Sequence, residues 1–267
     1  MSYKVYLSGG LNAVEWSQAV WKIEGRTVAV DECEQDLLHR VLLERLPKDG
    51  LIVDAGCGTA RLPIYFQRLG YRFVGIEVDH DACVIGKENE PRVVLVQADV
   101  RRIPLRSSAV DAVVSLGVVE HDEAGPLAAL REARRILKPH GLLVLSVPYN
   151  NLFRRVLVNR LHDALTRRRR RAGAELHFAE YRFSKPEIGD LLRQTGFEVV
   201  AVYPSDALPP RTVGLWVDYN NLVRRDAAAA PQELFRLPGL AGRVASRLMR
   251  WFPWLVCGEV AFIARAA

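Results

Sequence analysis

No stretch of this chain approaches the ~18 consecutive apolar residues that a membrane-spanning helix needs, so a transmembrane reading is excluded at the outset. The first ten residues, Met1 to Gly10, lack the charged start, apolar stretch and small-residue cleavage site of a secretory signal. Cysteine is scarce: Cys33, Cys57, Cys83 and Cys257 lie far apart, with no C-x-x-C spacing and no clustered histidines. That pattern excludes a disulfide framework and a structural metal, and predicts reduced, mostly buried thiols in a cytoplasmic protein. A strong charge imbalance is also missing. Lys plus Arg number 37 against 31 Asp plus Glu, a net charge of +6, and much of the excess sits in one run, Arg167 to Arg171. A local run of this kind is a weaker sign of a nucleic-acid partner than a basic face would be.

What the chain does have is 267 residues, 49% of them hydrophobic, enough for one large domain with a full core and an elaborated cap. Its organising stretch is Leu51-Ile52-Val53-Asp54-Ala55-Gly56-Cys57-Gly58-Thr59-Ala60-Arg61. Three apolar, mostly β-branched residues lead to an acid and then to glycine at every second place, the pattern of a buried parallel strand ending in a tight loop. A helix over about Ala60–Leu69 follows, closed by Gly70. Strand, glycine turn and helix N-terminus together present backbone N–H groups to a ligand, and Gly56 and Gly58 let it come close. The dinucleotide pattern G-x-G-x-x-G fails, because Arg61 stands at the third glycine.

At these residues the chain resembles the class I S-adenosylmethionine-dependent methyltransferases, whose first motif is an acid followed by G-x-G. The likeness continues in order. Val74 to Asp79 resembles the second strand with its terminal acid Glu77, Gln97 to Val100 the acid after the third, Asp111 to His121 the fourth strand and its loop, and Leu137 to Leu145 the turn into the fifth. Five motifs in the family's order are far more specific than any one alone. The resemblance implies an α/β fold with a Rossmann-like, mostly parallel seven-stranded sheet, an antiparallel last strand and helices on both faces. It also implies S-adenosyl-L-methionine as cofactor and S-adenosyl-L-homocysteine as product.

From Leu51 to Pro148 strands and helices alternate, which predicts right-handed β-α-β units with every strand C-terminus on one edge, where open α/β sheets bind ligands. Residues 1–50 are expected to form two N-terminal helices acting as a lid, 51–148 the cofactor-binding core, 149–203 an insert and the completion of that core, 204–256 a helical insertion, and 257–267 the last strand, all within one structural domain. The fifty residues between Phe197–Tyr203 and Cys257–Ala264 far exceed the ~2–5 that a hairpin needs.

In similar enzymes the acid at Glu77 accepts from the ribose hydroxyls. By that likeness Asp54, Gly56, Cys57 and Gly58 would lie at the amino-acid end of the cofactor, Val78 would cover the adenine, and Asp99 with Val100 would meet its exocyclic amine. Ser115 and Leu116 complete this set. Each acid taken alone is more often a helix cap or a strand-end solubiliser. For acceptor chemistry the candidates are His121, His177 and Tyr149: a histidine titrating near neutrality is the usual base for a hydroxyl or amine. A structural role for His121 stays equally open, and Glu175 to Ser184, which holds His177, Glu180 and Tyr181, is alternatively a solvated loop. Trp16, Trp21, Asn150 and Tyr181 are the candidate acceptor contacts, although Trp16 and Trp21 also suit packing anchors.

The acceptor expected is a small molecule, O-methylated in preference to N- or C-methylated, of natural-product, glycan or lipid-linked type, and an amphipathic basic insert favours one carrying a lipid or phosphate. In Gly239–Leu255, Val244, Leu248, Trp251 and Leu255 form one helical stripe beside Arg243, Arg247 and Arg250. That is the composition of an interfacial membrane helix and equally of a cap helix with snorkelling arginines. Peripheral membrane contact therefore stays open as a partner. A nucleic-acid methyltransferase is the enzymatic alternative, weakened by Ser115-Leu116-Gly117 standing where Asn-Pro-Pro-Tyr or Asp-Pro-Pro-Tyr would be. A non-catalytic cofactor-binding protein is the other.

Overall fold

The structure is a computed structural model that describes residues 2–8, 28, 30–35, 37–206 and 239–267. Its strands are β1 (Tyr3–Ser8), β2 (Leu51–Ala55), β3 (Arg72–Glu77), β4 (Leu95–Gln97), β5 (Val110–Leu116), β6 (Leu137–Pro148), β7 (Leu176–Arg182), β8 (Phe197–Ser205) and β9 (Glu259–Ala266). The helices are α1 (Leu37–Arg45), α2 (Arg61–Arg68), α3 (His80–Asn89), α4 (Leu127–Ile136), α5 (Asn159–Arg171), α6 (Lys185–Gln194), α7 (Gly239–Trp251) and the short α8 (Pro253–Val256).

Seven strands form one sheet in the order β4-β3-β2-β5-β6-β9-β8, with β9 antiparallel to both neighbours and the rest of the pairs parallel. The chain builds outward from β2 through β3 to β4 and then returns to β5 on the other side. The reversal lies between β2 and β5, and ligands of open α/β sheets bind at such a point.

Alternation of side chains explains why the central strands are apolar on both faces. Val53, Val113, Leu143 and Leu145 belong to one buried cluster with Leu130, Ala133 and Ile136 of α4. Ile52, Ala112, Val114 and Val144 belong to the other, with Leu38 and Leu42 of α1 and Ile64 and Phe66 of α2. A period of two on the strands meets a period of about 3.6 on the covering helices.

Several expectations need correction or qualification. Of the two expected N-terminal helices, the second is α1, while the first, with Trp16 and Trp21, lies outside the described residues. The segment Tyr3–Ser8 is a strand, and it pairs antiparallel with β7. The stretch holding His177 and Tyr181 is therefore the second strand of a hydrogen-bonded ribbon, and no solvated loop. Its apolar and aromatic residues Leu176, Phe178 and Tyr181 are interleaved with polar and charged ones, which obscures the strand signal. Cys33 and Cys257 are buried, whereas Cys57 and Cys83 are only half-buried. The stripe expected over Gly239–Leu255 is broken: α7 stops at Trp251, and Pro253 opens α8 from its first turn.

Candidate functional site

The turn after β2 is fixed by backbone geometry. Gly56 has φ +85° and Gly58 φ +53°, both in the left-handed region. A Cβ built on Gly56 would stand 2.4 Å from Cγ2 of Val118, so the turns after β2 and β5 touch across the reversal point. The amides of Gly56 and Cys57 donate to the Ile76 carbonyl at 2.8 and 3.0 Å, which ties this turn to the end of β3.

Glu77 ends β3 and completes the tie. One carboxylate oxygen accepts from the Gly58 amide at 2.8 Å, and the other from the Val78 and Asp79 amides at 2.8 and 2.9 Å. Three donors hold a 9% exposed carboxylate in one orientation and still leave lone-pair capacity for hydroxyls. Asp79 is the cap of α3, its Oδ1 accepting the Ala82 amide at 2.9 Å. Val78, between the two acids, is 55% exposed, an apolar side chain presented beside Glu77.

Asp54 is buried, and its carboxyl is pushed up to about 7, first by desolvation and then by the Glu77 carboxylate, against a smaller opposing effect of Arg61. Asp54 and Glu77 are buried acids whose like charges repel. A cation or hydroxyl donors would relieve them, which is what a sulfonium amino acid with an ammonium and a ribose diol offers. The buried Ser115 hydroxyl at the end of β5 has no partner. The donor set, the orphan hydroxyl and the Cβ-free turn thus fit S-adenosylmethionine.

Cys57 and Leu116 are half-buried, with Cys57 Sγ packed 2.6 Å from where a Cβ on Gly75 would stand. Asp99 is gripped in the fork of Arg101, with Nε 3.0 Å from both carboxylate oxygens and Nη2 2.6 Å from Oδ2, and it also accepts the Arg101 amide. That grip lowers its carboxyl below the ordinary value. An adenine amine would share Asp99 with a guanidinium. Val100 is half-buried against the core.

Among the acceptor candidates, His121 has the clearest chemistry. It follows β5 in a short 3-10 turn, and its Nδ1 lies 2.7 Å from the Ala179 carbonyl of β7. A carbonyl only accepts, so Nδ1 carries the hydrogen and Nε2 is bare in the neutral ring. Next to it, Glu120 is 2% exposed, its Oε2 has no partner, and its Oε1 is 3.9 Å from His121 Nε2. Burial raises the Glu120 carboxyl well above the ordinary range, and the Glu259 and Glu180 carboxylates push the same way. Glu180 in turn pairs with the buried Arg182 at 3.0 Å.

The other candidates are distributed differently. His177 is half-buried on β7, with Nε2 4.0 Å from Glu175. The Tyr181 hydroxyl donates to the Glu123 carbonyl at 2.8 Å, and its ring stacks on Phe183. Tyr149 stands edge-on to Trp254 with ring centroids 6.0 Å apart, and burial raises its phenol. Asn150 is buried, its Oδ1 taken by Asn159 at 2.9 Å, so its side chain is engaged within the fold. Two participants escaped the sequence: Ala179 acts through a backbone carbonyl, which no side-chain pattern signals, and Glu259 arrives from the last strand, far from every motif.

Comparison with known proteins bears on the same core. Residues 53–145 match the family described as Methyltransferase domain. A "Probable S-adenosylmethionine-dependent methyltransferase" of Mycobacterium tuberculosis is 31% identical over 117 residues, 41% of this chain and 41% of that protein. The chain thus spans about two fifths of that relative's length. A demethylmenaquinone methyltransferase of Streptomyces avermitilis is 26% identical over 161 residues, 56% of this chain and 69% of the relative. Matches over a similar reach also include tRNA methyltransferases. Among solved structures, a SAM-dependent methyltransferase from Archaeoglobus fulgidus superposes with a TM-score of 0.58 at 16% identity, covering 94% of this chain and 99% of that one, which speaks for the fold. Strand order, motif order and these matches agree: residues 53–145 carry a methyltransferase domain, similar in sequence to S-adenosylmethionine-dependent methyltransferases and set in the same fold.

Proposed function

We propose that this protein transfers a methyl group from S-adenosylmethionine to a small-molecule acceptor, with a hydroxyl oxygen as the favoured target and a natural-product, glycan or lipid-linked compound as its class. The observation that carries this reading is His121, whose Nδ1 is held by the Ala179 carbonyl so that Nε2 is left as the accepting nitrogen of the neutral ring, just beyond β5 and next to the reversal point. Bound cofactor supplies an electrophilic methyl group on a sulfonium, so the protein's own tasks are orientation and proton removal. Asp54, Glu77 and the glycine turn orient the cofactor's polar groups. His121 Nε2 takes the acceptor's proton as the oxygen attacks. Burial disfavours charge on Glu120, which stands next to this imidazole.

The test is incubation of the purified protein with methyl-labelled S-adenosylmethionine and a cell extract, followed by partition of the product into solvent, aqueous small-molecule and nucleic-acid fractions. Label in either small-molecule fraction supports the reading. Label confined to nucleic acid replaces it with the nucleic-acid methyltransferase alternative, and absence of transfer despite cofactor binding replaces it with a non-catalytic binding protein.

A further inference from the structure

The helical segment that follows β6 is built inside out. A π-helical turn over Arg154–Val158 runs into α5 to make one continuous helix. Its buried face is largely polar. Asn151 donates to the Cys257 carbonyl at 3.0 Å, Arg154 donates to the Tyr149 and Gly258 carbonyls at 2.8 and 2.7 Å, Asn159 donates to Asn150, and His162 Nε2 is 3.0 Å from the Tyr6 carbonyl. Its outward face is apolar: Leu152, Phe153, Val156, Leu157 and Leu161 are all between 39% and 55% exposed. A helix serving only its own fold would be turned the other way. Farther along, the exposed surface turns basic through Arg160, Arg167, Arg168, Arg170 and Arg171.

A second element of the same character ends beside its root. In α7 and just after it, Leu240, Val244, Trp251 and Phe252 are exposed together with Arg243, Arg247 and Arg250. The two elements are tied at their roots, since Asn151 and Arg154 bond to the carbonyls of Cys257 and Gly258, which follow α8 directly. Pro148 and Glu259 are cross-strand partners there, so both elements leave the sheet at the C-terminal end of β6, the edge that carries the cofactor turn.

We infer that these two faces dock the protein on an anionic lipid bilayer, with the apolar side chains entering the interface and the arginines meeting acidic headgroups. Apolar residues and arginines alternating along exposed helices match a surface that is apolar at one depth and anionic just above it. The inference goes beyond methyl transfer. Binding is read with neither cofactor nor acceptor, so its failure would leave the enzymatic reading standing.

The experiment is co-sedimentation of the full chain with vesicles of phosphatidylcholine mixed with phosphatidylglycerol, and with phosphatidylcholine alone, across a salt series. The expected result is binding to the anionic vesicles that weakens with salt, a drop of about tenfold or more in Leu157→Glu/Leu161→Glu, and a similar drop with a flattened salt dependence when Arg167 to Arg171 are all changed to Gln. Leu157, Leu161 and the arginines of the run apart from the half-buried Arg169 are exposed, so the variants should melt as the parent does, which checks that they fold. The inference is overturned if the parent ignores anionic vesicles, or if the double glutamate variant binds as the parent does. It is also overturned if the parent is a dimer that this variant converts to a monomer with no vesicle binding, which would assign the face to a second copy.

Discussion

The Gly58 amide and the Glu77 carboxylate meet at 2.8 Å, joining the turn after β2 to the end of β3. The acid that the family resemblance assigns to the ribose is thus also a structural clamp. Glu77→Ala removes a partner from three backbone amides as well as from the cofactor, and should cost about 1–3 kcal/mol of stability in addition to weakening cofactor binding. Glu77→Gln keeps the shape and one acceptor oxygen, and should retain more stability than Ala while still losing affinity. Paired thermal melts and cofactor titrations separate the two effects. An Ala variant that melts as the parent does would show that the clamp contributes nothing.

Asp54 predicts a pH dependence with a definite sign. Its carboxyl is pushed up to about 7 from an ordinary 3.8, so below that pH the folded protein holds it protonated. A cationic ligand group binds the ionised form, so cofactor affinity should be full above about pH 7 and fall as pH drops, by up to about tenfold per unit. Without cofactor the sign reverses for folding: the native state binds the proton more tightly than the unfolded chain, and stability declines as pH rises from about 4 to 7. Asp54→Asn should flatten both curves. Curves that stay as steep in Asp54→Asn would assign the titration to another group.

For His121→Ala, the expected result is a loss of about 10²-fold or more in kcat with cofactor affinity kept. His121→Gln preserves a side chain that can donate to Ala179 and supplies no base, so it should be equally slow. A fast Gln variant would give the residue a positioning role through its bond to β7.

Gly56→Ala places a methyl 2.4 Å from Val118 Cγ2 at a φ of +85°, which combines a clash with left-handed strain. The expected cost is about 1–3 kcal/mol, with cofactor binding lost or strongly weakened. Adding Val118→Ala relieves the clash only, so stability should recover in part. Full recovery would mean that the backbone conformation at Gly56 carries no strain.

The sheet was legible because each of its signals was local. Leu51–Val53, Val74–Ile76 and Leu142–Val147 are short apolar runs ending at turns, and Gly56 and Gly58 mark where the backbone must go left-handed. The partners of the candidate residues were much less legible. Nothing in the sequence shows that Arg101 folds back on Asp99, that Asn150 is spent on Asn159, or that Glu120 lies near Glu259, because those contacts depend on side-chain direction and distant chain. Tyr3–Ser8 was missed for a related reason. A lone N-terminal strand has no neighbour in sequence, and its partner β7 lies about 170 residues away. The outward apolar face of the helix after β6 was hidden because a periodic stripe says which residues share a face, and not which face turns to solvent.

The measurement that tests the account most directly is calorimetric titration of the protein with S-adenosylmethionine, beside Asp54→Asn and Glu77→Gln. The parent should bind saturably and one-to-one at neutral pH, and both variants clearly more weakly. A parent that releases no heat and shows no cofactor-dependent rise in melting temperature would contradict it.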